Sequence, residues 1–234
     1  MPSPSFDTVL PSVSDFHRRL RQTSVDTRSP NGTHSSLDPT LDESLLQDLQ
    51  RFDASARTEP GLEVLEVVAA SLRHGRALRL LVSHADLVLP LTVMPLERVV
   101  QAPLPLDQWD LLDWAGMKVL QVESATPHMP ASHQAPLGLV LWALALQGSR
   151  AQLLPEIEGP VAYRIAPSAD FSGLQLTGLL AAAVARLRRQ STPLHELSAW
   201  PGLDADRATR LLNGLYLQSG LIITRSNPAA ARSH

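Results

Sequence analysis

Arg207, Arg210 and Asn213 stand three residues apart in DADRATRLLNGLYLQ, the spacing of one face of a helix. Arginine can pair bidentately with guanine and asparagine with adenine, so these three side chains could read a DNA major groove. Arg186, Arg188 and Arg189 upstream and Arg225 downstream add cations that could meet nucleic acid or a partner. The first three end a predicted helix, where arginines also suit the negative end of the helix dipole without any ligand. Asp204 and Asp206 oppose the DNA reading, because they fall at the N-terminal end of the same stretch, where they would face phosphate.

Other reactive residue types lack partners. His128 and His133 flank HMPASH, but no cysteine or carboxylate lies in that loop to complete a tetrahedral metal site. Ser83 precedes His84 directly, which on a strand sends the two side chains to opposite faces, and no Gly-x-Ser-x-Gly elbow exists. His74 has no nucleophile beside it in sequence, and Glu156 and Glu158 sit in a Pro-flanked turn as solvated charge. The chain has no cysteine, no Walker A loop and no Gly-x-Gly-x-x-Gly, so no enzyme activity, cofactor or metal is expected. Trp109 and Trp114, with Leu111 and Leu112 between them, are a candidate apolar patch for a partner. The plainer expectation is that both pack beneath neighbouring strands.

Periodicity supplies the elements that would hold these residues. Residues 1–40 are rich in Ser, Thr, Pro and Asn without sustained periodicity and read as a disordered tail, with one short helical pattern in SVSDFHRRLRQ. Leu41, Leu45, Leu49 and Phe52 predict an amphipathic helix over 41–57. Leu62, Leu65, Val68 and Leu72 predict a second from Pro60 to a capping Gly75, paired with the first. Alternation at Leu78, Leu80 and Val82, at Leu87, Leu89, Leu91 and Val93, and then Val99 and Val100 predicts an antiparallel meander, with Pro90 at an edge or bulge. LDQWDLLDWAG predicts a short helix capped by Asp107, and KVLQVES a strand. A loop, ATPHMPASHQAP, then leads to an apolar helix over 136–148, and GPVAYRIAP adds one strand.

PSADFSG reads as a linker, which sets an α+β body at 41–170 and a C-terminal module at 174–226, with a disordered tail at 227–234. The module predicts a first helix over 174–189 with Leu176, Leu179, Leu180, Val184 and Leu187 inward. Thr192 caps a second helix, a PGLD turn comes next, and Asp204 caps a third. On the third, Asp206, Arg207, Arg210, Asn213, Gly214, Leu217 and Gln218 point outward, and Leu221, Ile222 and Ile223 open a wing strand. LHELSAWPGLDADRATRLLNGLYLQSGLI resembles the winged helix-turn-helix segment of bacterial PATAN-type regulatory proteins, over about 30 of the 234 residues. The resemblance is carried by core leucines and turn glycines, and it implies the fold of that segment.

The expected fold class is therefore α+β: a small antiparallel β-meander with packed helices, followed by a C-terminal winged helix-turn-helix module. Formal net charge is −3 over 234 residues of which 44% are apolar, enough for one large domain or two small ones. The charge is uneven: residues 1–173 carry −7 and residues 174–234 carry +4. Nineteen of the 20 basic residues are arginine, a bias that resembles proteins of high-GC bacteria. The N-terminus lacks the basic and apolar regions of a secretory signal, and APLGLVLWALALQGS is shorter than the roughly 20 residues a bilayer span needs. The expectation is a bacterial cytoplasmic regulatory or adaptor protein that binds an unknown protein partner and no membrane, with homodimerisation left open. The alternative is a transcription regulator that binds DNA through the winged helix.

Overall fold

The computed structural model describes residues 12, 14–15, 36–38, 40–55, 62–105, 108–109, 112–125, 133–174 and 176–225, with only the backbone described for 36 and 52–55. Most of the two expected disordered tails, and most of SVSDFHRRLRQ, lie outside the described residues. The fold is mixed α+β, and the chain divides into two compact units between Leu137 and Gly138.

In the first unit, α1 (Glu43–Ser55) and α2 (Val64–His74) pack together as the leucine spacing predicts. Leu45 and Leu49 are buried from one helix, with Leu41 just before it, and Leu65, Val67 and Val68 from the other. Gly75 ends α2 at φ +60°, a conformation glycine adopts without a Cβ penalty. Ser44, through its hydroxyl and its amide, bonds the Asp42 carboxyl just before α1 and holds it below the usual carboxylate range.

The sheet of this unit is built from β1 (Ser36–Leu37), β2 (Leu78–His84), β3 (Leu87–Met94), β4 (Val99–Ala102), β5 (Lys118–Ser124) and β6 (His133–Pro136). Its order is β1-β5-β2-β3-β4-β6, antiparallel throughout except that β1 runs parallel to β5. The alternating side chains Leu78, Leu80 and Val82 are fully buried, as the two-residue period requires. Pro90 lies opposite Leu81 in a half of β3 that β4, which pairs only Thr92–Met94, does not reach.

Three expectations for this unit are corrected. Ser36–Leu37 pairs with Gln121–Val122, so the tail is ordered at that point. The loop before the apolar helix contains strand β6, because Gln134 and Ala135 complete the free edge of β4. The expected helix capped at Asp107, which itself lies outside the described residues, is not seen among the described residues 108–109 and 112–116: Gln108–Trp109 make a short 3-10 turn, Leu112–Asp113 are not helical, and Trp114–Gly116 make a tight turn.

The second unit holds α3 (Leu137–Gln147) from its second residue on, β7 (Val161–Ile165), α4 (Gly178–Leu187), β8 (Thr192–Pro193), α5 (Leu194–Leu197), α6 (Ala205–Leu217) and β9 (Leu221–Arg225). Its three-stranded antiparallel sheet has the order β8-β7-β9. The expected boundary near 168–173 is thus displaced upstream. Strand β7, read from sequence as part of the body, pairs Tyr163 with both Thr192 and Ile223 and is inseparable from the C-terminal strands. The apolar α3 also belongs here: Trp142 lies over Gly214, where a Cβ would come within 2.8 Å of the ring. At 11 residues α3 is far too short to span a bilayer, and no helix of the described residues is long and apolar enough to do so.

The helix ends also differ from the prediction. Helix α4 begins at Gly178, not Leu174, and Thr192 is a buried strand residue, with Pro193 as the N-cap of α5. Asp204 caps α6 as expected, its side chain accepting from the Arg207 amide at 2.8 Å. Tyr163 is fully buried; its hydroxyl donates to the Ile157 carbonyl at 2.7 Å, and burial raises its pKa.

Candidate partner-binding groove

The seven residues proposed as contacts in the C-terminal segment do not form one free cationic surface. Asn213 is fully buried: its side-chain oxygen accepts from the Leu154 amide at 2.9 Å, and its nitrogen donates to the Gln152 carbonyl at 2.9 Å. The expectation that it points outward is wrong, because both partners come from residues 150–154, a segment no helical-face argument brings to α6. Gly214 and Leu217 are buried as well, and Gln218 is half-buried and donates to the Gly138 carbonyl at 2.7 Å.

The arginines are mostly tied down. Arg210 bonds Asp206 at 2.8 Å one turn earlier and donates to the carbonyls of Leu146 and Gly148 at the end of α3. Arg207 donates to the Gly202 carbonyl at 3.1 Å and lies 3.8 Å from Asp204. The guanidinium of Arg186 stacks 4.0 Å above the Trp200 ring, and that of Arg188 lies over Phe171 and donates to the Ala169 carbonyl at 2.9 Å. Arg225 donates to the Glu156 carbonyl at 3.1 Å. Arg189 is exposed and makes no side-chain hydrogen bond or ion pair among the described residues.

These bonds shape a groove. Leu146 from α3, Thr177, Leu179 and Leu180 at the start of α4, Gly202 and Leu203 before α6, and Arg207 and Arg210 on α6 enclose about 300 Å³. That volume is at the lower end of the roughly 300–1,000 Å³ typical of ligand sites, so it suits one or two side chains better than a large cofactor. Leu179, read from sequence as a core residue, is 49% exposed here. Helix α4 starts four residues later than predicted, so Leu179 falls in its first turn, whereas the buried residues Ala183, Val184 and Leu187 lie further along. Gly202, at φ +77°, makes room, since a Cβ there would lie 2.5 Å from Leu179 Cδ1. The arginine stems continue the apolar wall while their charged ends edge it.

The remaining candidates are structural. Trp109 and Trp114 are both buried, with ring centroids 5.8 Å apart, so neither supplies an exposed patch. His128 lies outside the described residues, His133 is an exposed strand residue, and no group of three metal-ligating side chains occurs among the described residues. Ser83 bonds the backbone of Lys118, whereas His84 accepts from the Asp113 amide, so the adjacent pair diverges as expected.

One arrangement has no counterpart in the sequence pattern. His74 places one ring nitrogen 3.0 Å from Asp48 and the other 3.4 Å from the Ser44 hydroxyl. Chemically that is a Ser-His-Asp series, but the Ser44 hydroxyl donates to Asp42 at 2.6 Å and its amide is spent on the same carboxylate. Arg73 shares Asp48 at 3.4 Å. The cluster therefore clamps α1 to α2. Replacing Asp48 by Ala should lower stability by about 1 kcal/mol, the scale of a partly exposed ion pair, as read by urea unfolding.

No family model matches the chain, and comparison with curated proteins and with solved structures gives no match.

Proposed function

We propose that this chain is a bacterial cytoplasmic regulatory or adaptor protein, and that residues 138–225 form a winged-helix type module used to bind a protein partner. Three features support the module: the succession α4, β8, α5, α6, β9, the Asp204 cap, and the resemblance of the segment to PATAN-type regulatory proteins. One feature departs from that pattern. The central strand of the sheet, β7, precedes the helices, so among the described residues no hairpin wing comes after α6.

The observation that carries the protein-contact reading is the character of the exposed face of α6. A DNA reader presents free donors there, whereas this face carries an apolar concavity, two arginines engaged by their own unit, and two aspartates. The groove suits a partner segment with a large apolar side chain set among Leu146, Leu179, Leu180 and Leu203, followed closely by a carboxylate. That carboxylate meets Arg207, whose side chain is 61% exposed, and not Arg210, which is spent on Asp206 and two carbonyls.

The test is selection of random dodecapeptides displayed on phage against the full-length protein. The expected result is enrichment of sequences pairing Leu, Phe, Ile or Met with a nearby Asp or Glu, with at least about tenfold weaker binding to Leu179→Asp, equivalent to about 1.4 kcal/mol. Enrichment indifferent to Leu179→Asp would remove the groove from the account, and absence of any enrichment would count against a peptide-binding module. Reversing Arg210 is not a clean substitute, because its guanidinium also ties α6 to the end of α3.

A further inference from the structure

The sheet of the second unit ends in an edge whose hydrogen-bonding groups can be assigned from its register. Strand β9 pairs with β7 so that Ile165 faces Leu221, Tyr163 faces Ile223 and Val161 faces Arg225. One step beyond the strand, the Ala166 amide donates to the Gly220 carbonyl at 2.9 Å. Bonded and non-bonded pairs alternate along an antiparallel ladder. Ile222 and Thr224 therefore exchange bonds with β7, while Leu221, Ile223 and Arg225 direct their amides and carbonyls to the opposite side. Among the described residues no backbone group of those three bonds anything else.

Edge strands are normally protected by lysine, proline or a bulge, and β9 has none of these. Four of its five residues are uncharged, and Ile222 is 42% exposed. The single charge, Arg225, is drawn aside by the Glu156 carbonyl.

We propose that this edge pairs antiparallel with β9 of a second copy of the chain, joining two three-stranded sheets into one of six. Self-complementarity favours a second copy over an unrelated strand. A two-fold axis at Ile223 sets Ile223 against itself, Leu221 against Arg225 of the other copy, and Ile222 against Thr224 of the other copy. No like charges oppose each other, and about six backbone hydrogen bonds close the seam. The edge alone buries less than a standard interface, so the dimer is a weak one that forms towards millimolar protein.

Sedimentation equilibrium of the full chain, from micromolar to millimolar concentration, tests this. The wild type should show a monomer–dimer equilibrium. Ile223→Pro removes only an outward-facing amide, leaves the β7 ladder intact, and should weaken the dimer at least about tenfold without loss of secondary structure by circular dichroism. Ile222→Lys, at an exposed position, should also weaken it, and adding Thr224→Glu should restore it by setting Lys against Glu across the two-fold axis. A monomer at every concentration, a dimer indifferent to Ile223→Pro, or failure of the Lys and Glu pair to rescue would each overturn the proposal. Should Ile223→Pro unfold the chain, the Ile222→Lys and rescue pair decides alone.

Discussion

Asn213→Ala should destabilise the second unit by roughly 2 kcal/mol, because it leaves a buried backbone group unsatisfied at about 1–3 kcal/mol. The group is the Leu154 amide, in a fully buried residue, whereas the exposed Gln152 carbonyl still accepts from Arg150. The magnitude separates two accounts of this residue. An outward side chain awaiting a ligand could be trimmed within about 0.5 kcal/mol, the usual range for surface changes. Urea unfolding of a chain in which Trp109 and Trp114 are replaced by Phe, so that the fluorescence of Trp142 and Trp200 alone is followed, would read the difference. Asn213→Asp is the instructive companion, since it keeps an acceptor for Leu154 but turns a carboxylate towards the Gln152 carbonyl. It should be no better tolerated than alanine.

Gly214→Ala should lower stability although it improves helix propensity. In an exposed helix interior the change gains about 1 kcal/mol. Here the added Cβ would sit 2.8 Å from two atoms of the Trp142 ring and 3.5 Å from Ala145. An indole fixed within a packed helix does not swing away, and overpacking costs typically about 1–3 kcal/mol, so the expected net loss is about 1–2 kcal/mol. Trp142→Leu should abolish most of that loss in the double variant, a non-additivity that urea melts of the four proteins would show. Additive effects would mean that α3 does not pack on α6, and the boundary at Leu137 would then be misplaced.

Both predictions concern contacts that the sequence does not reveal. Local periodicity is enough to locate α1, α2, the β2 to β4 meander, β5 and the Asp204 cap, because each is fixed by a burial pattern within one element or by a cap three residues away. Long-range pairing is not legible. Nothing in VAYRI says that it joins LIITR some 60 residues later, and a Ser- and Gly-containing connection such as PSADFSG looks like a linker whether or not the chain returns to the same sheet. The candidate site suffers from the same limit. Spacing puts Arg207, Arg210 and Asn213 on one helical face, but their partners, Gly202, Gly148 and residues 152–154, come from turns whose positions depend on the tertiary fold. Periodicity misplaces Leu179 because leucine spacing gives a face of α4 but not whether another element covers that face at the first turn.

The proposed role of the C-terminal unit in binding protein, and not DNA, can be tested by fluorescence anisotropy of the full chain with mixed-sequence duplex DNA, repeated at several salt concentrations. With Arg207 and Arg210 engaged internally and Asn213 buried, no binding tighter than about 100 µM is expected at physiological salt, at or below the weak end of ordinary non-specific affinity. Micromolar binding that weakens with salt at a slope of about −4 or steeper would contradict the account, since several of these arginines would then have to leave their carbonyls and rings for phosphate.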